Sequence, residues 1–212
     1  MKKRNFKAIA LTLALISTVS IGGIMAYFTD ADTATNTFTV GKISLDLQEP
    51  KWDPPTDITP GQEIVKDPQI KNDGVNDEYV FMKVIVPYAT VVTANEDGTK
   101  NAAADTELFT YDVKEGWTEL KSEMVKDTTT KTVTHLYAYT GVDATTMDRL
   151  EAGETTDTIF EWVRFANVIE DQGLEESIQH VVINAYGIQA DNINDGKTST
   201  NLLLLSNNAG FE

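Results

Sequence analysis

The chain has 212 residues, enough for one or two domains, and its 41% hydrophobic content is sufficient for a packed core. Four of its 17 Lys and Arg precede Tyr27 and none of its 33 acids does, so the formal charge from Tyr27 onward is −20. This balance argues against nucleic acid and anionic lipid as partners of the body, and the lack of cysteine excludes disulfides and thiolate chemistry.

The first 26 residues have the layout of a secretory signal peptide. Four basic side chains fall within the first seven residues, and an uncharged apolar run, Ala8 to Ile21, follows them. We expect cleavage between Ala26 and Tyr27, which would release the mature chain outside the cell. The alternative is a retained membrane anchor, because the apolar stretch to Met25 reaches about 18 residues, the lower limit for a span. The membrane is therefore expected as a partner only through an uncleaved signal segment.

Beyond residue 35, short runs with alternating apolar residues or several β-branched and aromatic residues predict β-strands. The predicted strands are 37–47, 62–70 (interrupted by Asp67-Pro68), 78–88, 108–113, 117–124, 132–139, 158–165 and 178–190. The run 78–88 is apolar at both odd and even positions, as expected for a central strand that is buried on both faces.

This pattern predicts an all-β protein, a jelly-roll-like antiparallel β-sandwich over residues 36–212, preceded by an extended arm at 27–35. We expect short helical turns at 147–150 and 172–177 within the crossovers. Residues 93–106 are expected to form a flexible surface loop, because they are rich in Asn, Ala, Asp and Thr.

The two histidines are weak candidates for a metal site. His135 and His180 lie 45 residues apart in strand-like runs, whereas a zinc-peptidase helix needs two histidines four residues apart beside a glutamate. Convergence of both with a carboxylate in space stays open at this point. No Gly-x-Ser-x-Gly motif or phosphate-binding glycine loop is present, so we predict no catalytic residue and no cofactor.

Two segments near the expected cleavage point carry a family resemblance. Residues 22–30 read GGIMAYFTD and residues 36–47 read NTFTVGKISLDL. This pair of segments resembles the start of proteins of the TasA/camelysin family. Shorter pieces further along the chain, such as TPG at 59–61 and AYGIQA at 185–190, occur in the same order as in that family.

The resemblance implies a secreted structural subunit of extracellular biofilm-matrix fibres, exported by a Gram-positive bacterium and processed by a SipW-type signal peptidase. It implies head-to-tail assembly, in which the arm of one subunit is added as a donor strand to the next. Partners would be further copies of the chain, as a homopolymeric filament, and other matrix proteins. The arm residues implied in assembly are Tyr27, Phe28, Thr29, Ala31 and Thr33.

Three alternatives stay open at this point. The first is a camelysin-like cell-surface metallopeptidase, which would need His135 and His180 to converge with a carboxylate. The second is a non-polymerising surface adhesin or accessory protein, which would expose an apolar or aromatic patch as a stable monomer. The third concerns the arm alone, since residues 27–35 have few apolar side chains and could be a disordered tail left by cleavage.

Overall fold

The computed structural model describes residues 42–55, 57–142, 144–175 and 177–191. The chain divides into two units, Met1–Val40 and Gly41–Glu212, and every described residue belongs to the second. The signal segment, its cleavage point and the arm therefore lie outside the described residues. Within the described part of the chain, no helix is long and apolar enough to cross a membrane.

The described residues form eleven β-strands and one 3-10 turn, Lys121–Glu123. The strands are β1 (Leu45–Gln48), β2 (Glu63–Val65), β3 (Gln69–Asn72), β4 (Glu78–Val91), β5 (Ala104–Glu107), β6 (Phe109–Thr110), β7 (Gly116–Glu119), β8 (Val125–Asp127), β9 (Thr132–Gly141), β10 (Trp162–Phe165) and β11 (Val182–Gln189).

The strands form an antiparallel β-sandwich, which confirms the predicted fold class. The main sheet has the order β11-β4-β9-β7, with β5 added to β4 and β8 added to β9. A second sheet has the order β2-β10-β6, and β1 pairs with β3 in a two-stranded sheet. Every pairing between these strands is antiparallel.

Strand β4 is the centre of the main sheet, as its two apolar faces predict. Val80, Met82, Val84 and Val86 are fully buried in the larger core, which lies between the sheets. The alternate residues Tyr79 and Phe81 are buried in a smaller core on the opposite face, with Leu136, Met147 and Ile188. Burial of each such side chain contributes about 1.5–3 kcal/mol to stability, so β4 is a strongly stabilised central strand of the main sheet.

Two predictions about connections are wrong. Residues 147–150 form no helical turn, because the backbone N–H and C=O of Leu150 pair with those of Glu78. The described residues between 172 and 177 form no helix either, because the Glu175 carboxylate accepts the backbone N–H groups of Asp171 and Gly173 and closes a local turn.

The segment 93–106, predicted as a surface loop, contains most of strand β5. This short edge strand pairs Ala104–Glu107 with Val91–Tyr88 of β4. Its sequence, Ala-Asp-Thr-Glu, has no alternation of apolar and polar residues. This is compatible with its position, since the strand is partly exposed to solvent and buries no apolar face. Pairing with β4, rather than local preference, therefore determines its conformation.

Candidate functional site

His135 lies at the centre of a polar cluster formed by residues of β5, β7 and β9. It projects from β9 on the same face as Val133 and Tyr137, and its side chain is 12% exposed. Its Nδ1 atom lies 2.8 Å from Glu119 Oε1 on β7, and its Nε2 atom lies 3.0 Å from Glu107 Oε2 on β5. The imidazole thus joins three strands through two carboxylates.

The cluster favours the protonated form of the histidine. Burial opposes the charge and lowers the pKa of His135, but the hydrogen bonds and charges of Glu107 and Glu119 outweigh that effect and raise the pKa above its ordinary value of 6.5. With both ring nitrogens facing carboxylate oxygens, each nitrogen must carry a proton to donate a hydrogen bond. His135 therefore acts as a cationic bridge between Glu107 and Glu119.

Two tyrosines complete the cluster. The hydroxyl oxygens of Tyr111 and Tyr137 lie 3.0 Å apart, and the Tyr111 ring meets His135 edge-on with ring centroids 6.4 Å apart. Burial, followed by the neighbouring charges, raises the pKa of Tyr111, and burial chiefly raises that of Tyr137, so both phenols stay neutral at physiological pH. Together with His135 they line an open pocket of about 500 Å³.

This donor set does not fit a zinc-peptidase centre. A metal ion needs lone pairs that converge on one point, whereas Glu107 and Glu119 bind opposite nitrogens of the same ring. Within the described ranges, no group of three or more His, Asp or Glu side chains could hold a metal ion. His180 is exposed and lines different pockets, so the two histidines are not brought together.

A second region, which we call the edge groove, lies between the second sheet and residues 177–181, which lead into β11. Strand β11 ends the main sheet and β2 ends the second sheet, and among the described residues each pairs on one side only. The groove is mainly apolar, with Lys66 as its buried charged residue. Residues that define it are Trp52, Ile58, Ile64, Lys66, Ile178 and Val181.

Lys66 attaches the loop that carries Trp52 to one wall of the edge groove. Its Nζ atom lies 2.7 Å from Glu49 Oε1 and 4.2 Å from the centroid of the Trp52 ring. The Asp67 carboxylate also accepts the backbone N–H of Lys51 at 2.9 Å. The buried cation, the carboxylates and the ring therefore hold Trp52 at the mouth of the groove.

Three apolar side chains at the edge groove are exposed to solvent. Ile178 is 81% exposed, Val182 is 45% exposed and Trp52 is 38% exposed. Single exposed apolar residues are common on soluble proteins, but these three lie near β2 or the start of β11, and each of those strands pairs on one side only among the described residues. The arrangement is suited to an added strand, because exposed apolar side chains lie close to strands that could accept a further partner.

The edge groove and the start of the described chain lie at opposite ends of β11. Glu78 pairs with Gln189 at the far end of β11, and its carboxylate accepts the backbone N–H of Ser44, just before β1. Ile178 and Val181 of the groove immediately precede Val182, the first residue of β11. Eight residues of strand separate the two ends by about 25 Å.

The predicted assembly residues cannot be placed by this structure. Tyr27, Phe28, Thr29, Ala31 and Thr33 lie outside the described residues, as does the predicted cleavage point after Ala26. They stay predictions. The two glutamates that bind His135 could not be singled out beforehand, because nothing local distinguishes Glu107 or Glu119 among 33 acidic residues.

Comparison with known protein families gives one clear result. A family model described as camelysin metallo-endopeptidase matches residues 1–181, which is most of the chain. The match includes the His135 cluster and most of the edge groove. A comparison with curated proteins found no match.

Proposed function

The chain belongs to the camelysin metallo-endopeptidase family, and we propose that it is a secreted structural subunit of extracellular biofilm-matrix fibres. In this proposal a SipW-type signal peptidase cleaves between Ala26 and Tyr27. The new N-terminal arm, residues 27–35, then enters the edge groove of a second copy as a donor strand. The single observation that carries the proposal is the edge groove, which adjoins β2 and the start of β11, two strands that each pair on one side only among the described residues.

The proposal follows from the bonding needs of those edges. Unpaired backbone N–H and C=O groups on an edge strand form hydrogen bonds with any extended segment of suitable register. In an extended strand Tyr27 and Phe28 point to opposite faces, so one of them would supply a large apolar side chain for the groove lined by Ile58, Ile64 and Val181. Main-chain pairing would supply affinity, and the aromatic side chain in the groove would set the register.

The position of the groove supports an open, head-to-tail assembly. The arm precedes Ser44 in the chain, and Ser44 lies near one end of β11, whereas the groove lies at the other end, near Val182. A contact between two different surfaces of the same chain adds subunits without closing, unless the rotation between them happens to form a ring. Repetition of this contact gives a filament, to which other matrix proteins could add through the same edges.

In this proposal the chain is not an enzyme, although the family description is a metallo-endopeptidase. The reason is the geometry of the His135 cluster, whose two carboxylates occupy opposite ring nitrogens. The cluster instead has the features of a structural bridge between β5, β7 and β9. The proposed location of the protein is the extracellular matrix or the cell surface.

The direct test compares a chain that begins at Tyr27 with one that begins at Asn36. We expect filaments from the first and monomers from the second, by negative-stain electron microscopy and size-exclusion chromatography. Both are assayed at low and high ionic strength, because subunits of about −20 charge repel one another in dilute salt. Circular dichroism confirms that the shorter chain is folded. Monomers from both under all conditions would overturn the proposal.

A substitution in the edge groove tests the acceptor side separately. Ile178→Glu places a charge where an apolar donor residue would bind, so we expect filament formation to fall at least tenfold in the chain from Tyr27 onward. Val142→Glu is the matched control, because Val142 is 90% exposed and lies outside the groove. Both variants should keep the parent melting temperature, since neither side chain is buried. Equal assembly of the two variants would contradict a role for the groove.

A further inference from the structure

Glu78, the first residue of β4, is a buried carboxyl group with an incomplete set of partners. It has no exposed surface, and its Oε1 atom accepts the backbone N–H of Ser44 at 3.1 Å. Among the described residues, its Oε2 atom has no hydrogen-bond partner. An ionised carboxylate in such a place is costly, because burial separates it from bulk solvent and no ion pair among the described residues compensates its charge. This buried group therefore needs a physical explanation.

Two glycines make the space that Glu78 occupies. A Cβ atom on Gly74 would lie 2.8 Å from Glu78 Oε1, and a Cβ atom on Gly187 would lie 2.8 Å from Glu78 Oε2. Any larger residue at either position would displace the carboxyl group. The loop after β3 and the end of β11 thus form a fitted chamber, which β1 covers through Ser44 and Leu45.

Among the described side chains around this chamber, no cation neutralises the carboxyl group. The ionisable side chains on the elements around it are Lys42, Asp46, Lys71, Asp73, Asp77 and Arg149. Lys71 pairs with Asp73, and Arg149 pairs with Asp77 and Asp191. No ion pair in the described part of the chain includes Glu78. Burial raises the pKa of Glu78, and the Ser44 amide offsets only part of that effect.

We propose that Glu78 is a proton-controlled anchor for β1. When protonated, the carboxyl group stays in its chamber and accepts the Ser44 N–H, so the start of β1 remains bound. When ionised, the carboxylate moves toward water and releases the Ser44 N–H, so the start of β1 loses its bond to β4 while it keeps its pairing with β3. The step needs only the gain or loss of one proton by the carboxyl group.

This anchor deepens the proposed function and rests on it for its biological meaning. Residues 36–44 join the arm to β1 along the chain, so a bound start of β1 would limit the freedom of the arm's attachment and reduce the entropy lost when the arm binds a neighbour. The direction of the pH effect follows from a pKa raised above its ordinary 4.5. The stabilisation is complete below pH 4.5 and is lost as the pH rises through the folded-state pKa.

Hydrogen exchange at Ser44 tests the anchor in the chain from Tyr27 onward, kept dilute so that it is monomeric. After correction for intrinsic exchange, we expect protection of the Ser44 amide to fall about tenfold or more between pH 5 and pH 8. Glu78→Gln should give protection that does not change with pH. Asp46→Asn is the matched control, because Asp46 is an exposed acid on the same strand, and it should keep the parent profile.

If Glu78→Gln does not fold, the pH dependence of Ser44 exchange in the parent protein still tests the anchor. Protection of Ser44 that stays constant with pH in the parent would overturn the anchor, as would the same slope in a folded Glu78→Gln variant. Because the measurement uses monomers, it is independent of fibre formation. If protection of the Ser44 amide changes with pH but no filaments form, the fibre function is rejected and the anchor is retained. If filaments form but this protection is constant with pH, the anchor is rejected and the fibre function is retained.

Discussion

Replacing His135 with alanine is expected to lower the free energy of unfolding by about 2 kcal/mol at pH 6. The substitution leaves Glu107 and Glu119 without the cation that lies between them. Removing one partner of a fully buried ion pair costs about 3–5 kcal/mol, and we expect less here because Glu107 is 33% exposed. Urea denaturation followed by tryptophan fluorescence would measure the difference.

The effect should depend on pH in a defined direction. The folded-state pKa of His135 lies above 6.5, so its stabilisation is complete below pH 6.5 and is lost as the pH rises through the folded-state pKa. The difference between parent and variant should therefore be largest near pH 6 and smaller at pH 9. His180→Ala is the control, since His180 is exposed, and it should leave stability unchanged. A difference that is constant from pH 6 to pH 9 would contradict the cationic bridge.

Replacing Phe160 with alanine is expected to have a still larger effect on stability. Phe160 has no exposed surface, and its ring centroid lies 4.5 Å from that of Tyr111 in the larger core. Loss of a buried phenylalanine ring costs about 3–5 kcal/mol, because the cavity collapses only in part. Denaturation at pH 7 would show this loss as a lower midpoint with little change in slope.

The same substitution should alter the His135 cluster at a distance. Tyr111 packs between Phe160 and His135, so a cavity at residue 160 lets the Tyr111 ring move away from the histidine. We expect the pKa of His135, measured by NMR titration, to shift toward 6.5. Phe160→Leu retains most of the volume and should cost less than about 1.5 kcal/mol. If alanine and leucine were equally costly, packing of the ring would not be the cause.

The camelysin family match confirms the family resemblance that the sequence shows. The described strands confirm several of the strand positions that the local alternation of apolar residues predicts. The alternation in β4 predicts its central position, because a strand buried on both faces needs apolar residues at odd and even positions. The strand predicted over 62–70, interrupted by Asp67-Pro68, is two strands in the structure, β2 and β3, because proline cannot donate a ladder hydrogen bond. Strands β5 and β8 were missed because short, exposed edge strands carry little apolar signal.

The sequence by itself determined two features that depend on neighbouring residues, the all-β class and the burial of β4, while the targeting layout at residues 1–26 stays a prediction. Only the tertiary structure decided which acids bind His135, that β11 ends its sheet, and that Gly74 and Gly187 enclose Glu78. The physical reason is that these contacts depend on the register in which the strands pair. These contacts join residues that are 4 to 109 positions apart in the chain, and their meeting depends on how whole strands pair and pack, which no local alternation specifies.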